Sequence, residues 1–142
     1  MQTGTVSRDE LIQRLQSKTE RNDAIRQLVG GLTATELRSI EVDDETIDAL
    51  ARGLADVNPV VRWWCIQVLD HVPDARAIDL IVPMLDDPVA RVRRNAVHAL
   101  GCQACKPSAD MCLTRGVLDR IRALAETDPN DKVRDEARRV LA

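Results

Sequence analysis

Beyond residue 43 the apolar positions recur in one arrangement. Val61, Cys65 and Leu69 are spaced like Val92, Ala96 and Leu100, and like Val133, Ala137 and Leu141. An Arg follows the Val each time, as Arg62, Arg93 and Arg134. Six residues before each Arg stands an Asp: Asp56, Asp87 and Asp128. Such spacing lays one apolar stripe along an α-helix and leaves the opposite face polar. A stripe that returns at intervals of 31 and 41 residues predicts stacked helical hairpins, because a single hairpin cannot bury it alone.

Capping residues place the elements. Asp44 starts a helix carrying Ile47, Leu50 and Leu54, and Asn58-Pro59 opens its partner, since Pro suits a first helical turn. The pairing recurs from Asp74 to Leu85 and from Asp87-Pro88 to Leu100, with Pro83 expected to kink or shorten the former. A last pair runs from about Met111 to Glu126 and from Asp128-Pro129 to Leu141. Upstream, Ser7-x-x-Glu10 reads as a capping box, and Gly30-Gly31 stops a helix through Ile25, Leu28 and Val29. Glu20, six before Arg26, marks a decayed copy. The expected organisation is a degenerate helical repeat or cap over 1–43, then three repeats over 44–142 with a Cys-rich insertion at 101–112.

The run Asp87-Pro88-x-x-x-Val92-Arg93-x-x-Ala96-x-x-Ala99-Leu100-Gly101 resembles the HEAT-repeat signature, in the short bacterial form also found in phycobilisome-lyase-like proteins. The resemblance covers 44–142 well and the first 43 residues poorly. It implies an all-α fold, a right-handed α-solenoid of about four helical hairpins. It also implies that Asp56, Asp87, Asp128, Arg62, Arg93 and Arg134 form structural ladders between repeats, with no catalytic role. Members of such families mostly bind other proteins, so a non-catalytic scaffold is the expected function.

Composition narrows this picture. With 20 basic and 23 acidic residues the formal charge is −3, which argues against a dedicated nucleic-acid binder. No stretch approaches the roughly 20 apolar residues of a membrane span. The N-terminus lacks the basic start and apolar run of a secretory signal, so a cytoplasmic home is expected. No phosphate loop and no GxSxG elbow occurs, and the carboxylates are accounted for by caps, ladders and solvated faces. The apolar end Val140-Leu141 has no obvious cap, which suggests docking of the last hairpin on another chain.

Three of the four cysteines, Cys102, Cys105 and Cys112, fall within the insertion. Cys102-x2-Cys105 has zinc-knuckle spacing, and Cys112 supplies a third ligand. His98, four before Cys102, is the first candidate for the fourth, although Gly101 is a possible helix end between them. His71, at the repeat position of Cys102 in the preceding copy, is the second. Such a site would be closed and structural. Two other readings stay open: plain thiols in a surface loop, and a thiol-redox or lyase-like, cofactor-handling pair at Cys102 and Cys105. Cys65 takes the Ala position of its repeat and is read as a small core filler.

Trp63 and Trp64 correspond to Arg94 and Asn95, then to Asp135 and Glu136, so the repeat pattern expects solvent at both positions. Trp64 is nonetheless expected to pack, whereas Trp63 is either packed or an interface anchor. Trp63, Gln67, Arg94 and Asn95, all off the core stripe, are the candidate partner contacts. Arg91, Arg93, Arg94 and Lys106 read as a ladder Arg with solvated neighbours or as a small anion patch, much of it neutralised by Asp86 and Asp87.

Overall fold

The computed structural model describes residues 44–70, 75–104 and 116–142. They hold α1 (Asp44–Leu54), α2 (Pro59–Asp70), α3 (Ala75–Ile81), a 3₁₀ segment (Val82–Asp86), α4 (Ala90–Ala104), α5 (Val117–Thr127) and α6 (Asp131–Leu141), with no strand among the described residues. The expected all-α fold is therefore found. The chain divides into two compact units, Met1–Val72 and Pro73–Ala142.

In the first unit α1 and α2 form a hairpin. Ile47, Ala49, Leu50 and Leu54 of α1 are buried, as are Val61, Cys65, Ile66, Val68 and Leu69 of α2. Cys65 is the core filler its repeat position implied. Gly53 lies against it so closely that a Cβ there would strike the Cys65 Sγ. The turn is built by side chains that replace missing helical partners: the Asp56 carboxylate accepts from the Asn58 N–H at 2.9 Å, and Asn58 Oδ1 accepts from the Val60 N–H at 2.9 Å.

The second unit carries two hairpins. Pro83 acts as expected, because a ring without an N–H cannot continue the α ladder. The α-helix stops at Ile81 and the chain tightens into the 3₁₀ turn that holds Met84 and Leu85 in the core. Helix α4 then packs on α3, on the 3₁₀ segment and on α6, while α6 also packs on α5. The predicted stripe of Val92, Ala96, Ala99 and Leu100 is buried, and so are Val117, Ile121 and Ala125 on α5 and Val133 and Ala137 on α6. Asn130, rather than Asp128, caps α6, its side chain accepting from the N–H groups of Lys132 and Val133.

One open point is decided, and one expectation needs correction. Gly101 does not end its helix: α4 runs on to Ala104, so the insertion expected at 101–112 begins inside a helix. Gly101 is there for a close approach, since a Cβ on it would stand 2.6 Å from Cγ2 and 3.0 Å from Cγ1 of Val140. Val140 is thus in contact with α4. Asn95, expected on the surface, is buried. A single stripe serves one neighbour, whereas α4 packs on α3 and the 3₁₀ segment and also on α6, and the buried arc widens accordingly.

Candidate functional site

The six-residue interval has a single geometric cause in all three copies. The Asp sits just outside the helix, and its carboxylate accepts from the backbone N–H two residues on, at 2.9 Å in each case. The Arg stands in the helix, and a helical side chain leans back toward the N-terminus. Its NH1 reaches the backbone carbonyl of that same Asp: Arg62 to Asp56 at 2.8 Å, Arg93 to Asp87 at 2.9 Å, Arg134 to Asp128 at 2.6 Å. One carbonyl left over by the turn is satisfied each time.

Arg93 does more. Its Nε and NH2 donate to Oδ2 and Oδ1 of Asp128 at 2.8 and 3.1 Å, so one fork joins two consecutive hairpins. The Asp128 side chain is only 2 % exposed and that of Arg93 13 %. Burial works to raise the Asp128 carboxyl. The Arg93 hydrogen bond, the Asn130 N–H and the charges of Arg93 and Arg134 outweigh it and hold the group below its ordinary value of 3.8.

A second polar joint lies on the other side of α4. His98 Nδ1 is 2.9 Å from Glu136 Oε1 on α6. Arg139 grips Glu136 with Nε to Oε2 at 2.8 Å and NH2 to Oε1 at 2.7 Å. The Arg139 hydrogen bonds lower the Glu136 carboxyl from its ordinary 4.5; burial opposes this, and the His98 contact and the two positive neighbours add to it. An ionised carboxylate only accepts, so the contact with Glu136 calls for a proton on His98 Nδ1. Sequence reasoning gave His98 no such partner. The repeat held the clue, since one period of 41 places Arg139 at the position equivalent to His98.

Both carboxyls titrate lower in the folded protein than in the unfolded chain, so the unfolded state takes up protons first on acidification. Their contribution is complete at neutral pH, declines once the pH falls below the ordinary values of 4.5 and 3.8, and is gone below the folded values. Asp128→Asn is expected to flatten the acid limb of a melting-temperature profile measured from neutral pH to about pH 3. An acid limb as steep as that of the wild type would assign the loss to other groups.

The expected partner residues fall in both units. On α2, Trp63 and Gln67 are half-buried and one helical turn apart; the Trp63 and Trp64 rings meet edge to face, with centroids 4.8 Å apart and planes at 87°. On α4, Arg94 is exposed and Asn95 is withdrawn into the interior. The equivalents of Trp63, Arg94 and Asp135, are both exposed as the repeat predicted. Those of Trp64, Asn95 and Glu136, are both buried, which overturns the expectation of solvent there. Of the proposed metal ligands, His98 is described. His71, Cys105, Cys112 and the Cys102 side chain lie outside the described residues. Continuity of α4 through Gly101 places positions 98 and 102 one turn apart on one helix.

Among the described residues no helix is long and apolar enough to cross a membrane. No curated protein matches the chain significantly. Solved structures do. An engineered protein from a structural genomics consortium is 21% identical at a TM-score of 0.73, over 94% of this chain and 60% of its own. A designed armadillo repeat protein in complex with the peptide (KR)4 is 18% identical at 0.72, over 94% and 62%. Human deoxyhypusine hydroxylase in complex with glycerol is 23% identical at 0.65, over 96% and 42%. The chain spans less than two thirds of each, and at these identities the likeness is one of fold. The family profile for HEAT repeats matches residues 8–101 and again 47–142. With the hairpins and their Asp–Arg joint already in place, the chain belongs to the HEAT-repeat family.

Proposed function

We propose that this chain is a non-catalytic, cytoplasmic scaffold that binds a protein partner through the outward positions of its second helices. The observation that carries the reading is Trp63. It stands half-buried at a repeat position where the other two copies keep exposed, charged residues. A large ring retained at a solvent-facing position is a natural contact anchor. Peptide recognition by the designed armadillo neighbour supports the same use of the fold. Trp63→Ala is expected to weaken partner capture by about 2 kcal/mol, the usual cost of truncating a hot-spot residue. Cross-linked pull-downs of the two proteins side by side test it, and unchanged partners would remove Trp63 as the anchor.

A structural zinc site is the second element of the proposal, with Cys102, Cys105, Cys112 and His98 as ligands and His71 as the alternative fourth. One observation favours His98. Its Nδ1 is engaged by Glu136, the kind of carboxylate contact that orients metal-binding imidazoles, which leaves Nε2 as the nitrogen for an ion. Metal analysis of the purified protein should find about one zinc per chain, as a closed four-ligand site demands. The His98→Ala variant should lose it and His71→Ala should keep it. Absence of metal together with fast alkylation of one thiol at neutral pH would favour the redox reading instead.

A further inference from the structure

The Asp–Arg joint has a donor side and an acceptor side, and the last copy leaves its donor side open. Arg93 places NH1 on its own turn and turns Nε and NH2 to Asp128 of the following hairpin. Arg134 repeats the first half: its NH1 donates to the Asp128 carbonyl at 2.6 Å, which holds the guanidinium as Arg93 is held. Its Nε and NH2 make no hydrogen bond among the described residues. A guanidinium carries five N–H donors, and the planar edge left over is the one that suits a carboxylate. The two exposed acids of α6 do not fill it. Asp135 lies 3.5 Å from Arg138, and Asp131 forms no ion pair with Arg134.

The residues beside Arg134 point the same way. Four and seven positions after the repeat Arg stand Ile66 and Leu69 on α2, Val97 and Leu100 on α4, and Arg138 and Leu141 on α6. The first four are 0 % exposed, whereas Arg138 is exposed and Leu141 only half-buried. On α4 this edge lies toward α6, because Arg93 on it grips Asp128. Helix α6 turns Glu136, Arg139 and Val140 toward α4, so Arg134, Arg138 and Leu141 form its opposite edge. An arginine where the other copies bury Ile or Val suits an edge that meets water in the free protein.

We infer that this edge of α6 docks a helical hairpin of a partner protein whose interhelical turn carries an Asp, the carboxylate seating in the Arg134 fork as Asp128 seats in that of Arg93. The inference rests on the scaffold reading and adds to it a second contact surface and the chemistry of what binds there. Continuity with the Arg93–Asp128 joint argues for a hairpin: the same donors stand at the same repeat position, beside a leucine that an apolar helix face would finish covering. Bidentate arginine–carboxylate pairing then fixes the register of the incoming turn. A second copy of this chain suits the edge less well, because Asp87 and Asp128 are buried in their own joints.

Fluorescence anisotropy on the full chain tests this with a labelled, acetylated peptide of residues 128–142, which carries the Asp turn and the helix that Arg93 receives inside the protein. The peptide should bind, and its Asp128→Asn form should bind about tenfold more weakly, the size of one lost charge-assisted contact. Arg134→Met in the chain should cause the same loss with the unaltered peptide and no further loss with the Asn form. The peptide change leaves the chain untouched, so the comparison of the two peptides stands even where the Arg134 variant is less stable. Arg94→Ala, exposed on α4, is the control and should bind as the wild type does. No binding, equal binding of the two peptides, or full binding to the Arg134 variant would each overturn the inference. So would self-association of the chain in sedimentation that Arg134→Met abolishes, since the occupant would then be a second copy. The Trp63→Ala pull-down reads a different helix, so a lost anchor and a wrong docking edge are told apart.

Discussion

Replacing Arg93 by alanine is expected to destabilise the protein by about 3 kcal/mol, the low end of what removing one partner from a buried ion pair costs. The change strands the Asp128 carboxylate, whose side chain is 2 % exposed, and frees the Asp87 carbonyl as well. A loss of that size is a large share of the 5–15 kcal/mol that typically holds a domain together. Urea or thermal unfolding measures it directly. Arg94→Ala, one residue along but exposed, is the matched comparison and should change stability by less than about 0.5 kcal/mol. In a repeat protein each unit leans on its neighbours, so loss of the joint should also loosen the last hairpin first. Hydrogen exchange should show faster opening of α5 and α6 than of α4.

Gly101→Leu is expected to cost about 3 kcal/mol, at the upper end of the usual penalty for overpacking. A bare Cβ at 101 already stands 2.6 Å from Val140 Cγ2, and an isobutyl group forces α4 and α6 apart. The sign is informative. A glycine that merely sat in a helix would gain up to about 1 kcal/mol from a better helix former, because Gly loses the most backbone freedom on folding. Val140→Ala in the same chain should recover much of the loss by vacating the contact. A rescue of this kind ties the defect to the α4–α6 approach and to nothing else at position 101.

Much of this architecture was readable in the sequence because its physics is local and periodic. The Val–x3–Cys/Ala–x3–Leu spacing fixes a helix face, the Asp fixes a turn, and Pro83 fixes where an α-helix must tighten. Helix starts at Asp44 and Pro59 followed from the same rules. What escaped was set by neighbours. Gly101 reads as a stop in one dimension, and its role as a contact point depends on Val140, 39 residues away. Asn95 looked exposed from the wheel of a single helix and is buried by a second packing partner. The His98–Glu136–Arg139 joint escaped for the same reason, since a repeat pattern predicts what is shared among copies and this joint belongs to one pair. For the partner site, the sequence singles out Trp63, Gln67, Arg94 and Asn95; the structure leaves the first three at least partly exposed and buries Asn95.

The most direct test of the whole account is a double-mutant cycle on Arg93→Met and Asp128→Asn, followed by urea unfolding. Methionine keeps the buried stem, and asparagine can still accept from the Asn130 N–H, so the cycle isolates the link between two hairpins. Consecutive repeats joined as described should give a coupling of about 1–3 kcal/mol, in the range for residues in direct contact. Losses that add to within about 0.3 kcal/mol, as they do for independent sites, would contradict the stacking of these hairpins through the Asp–Arg joint.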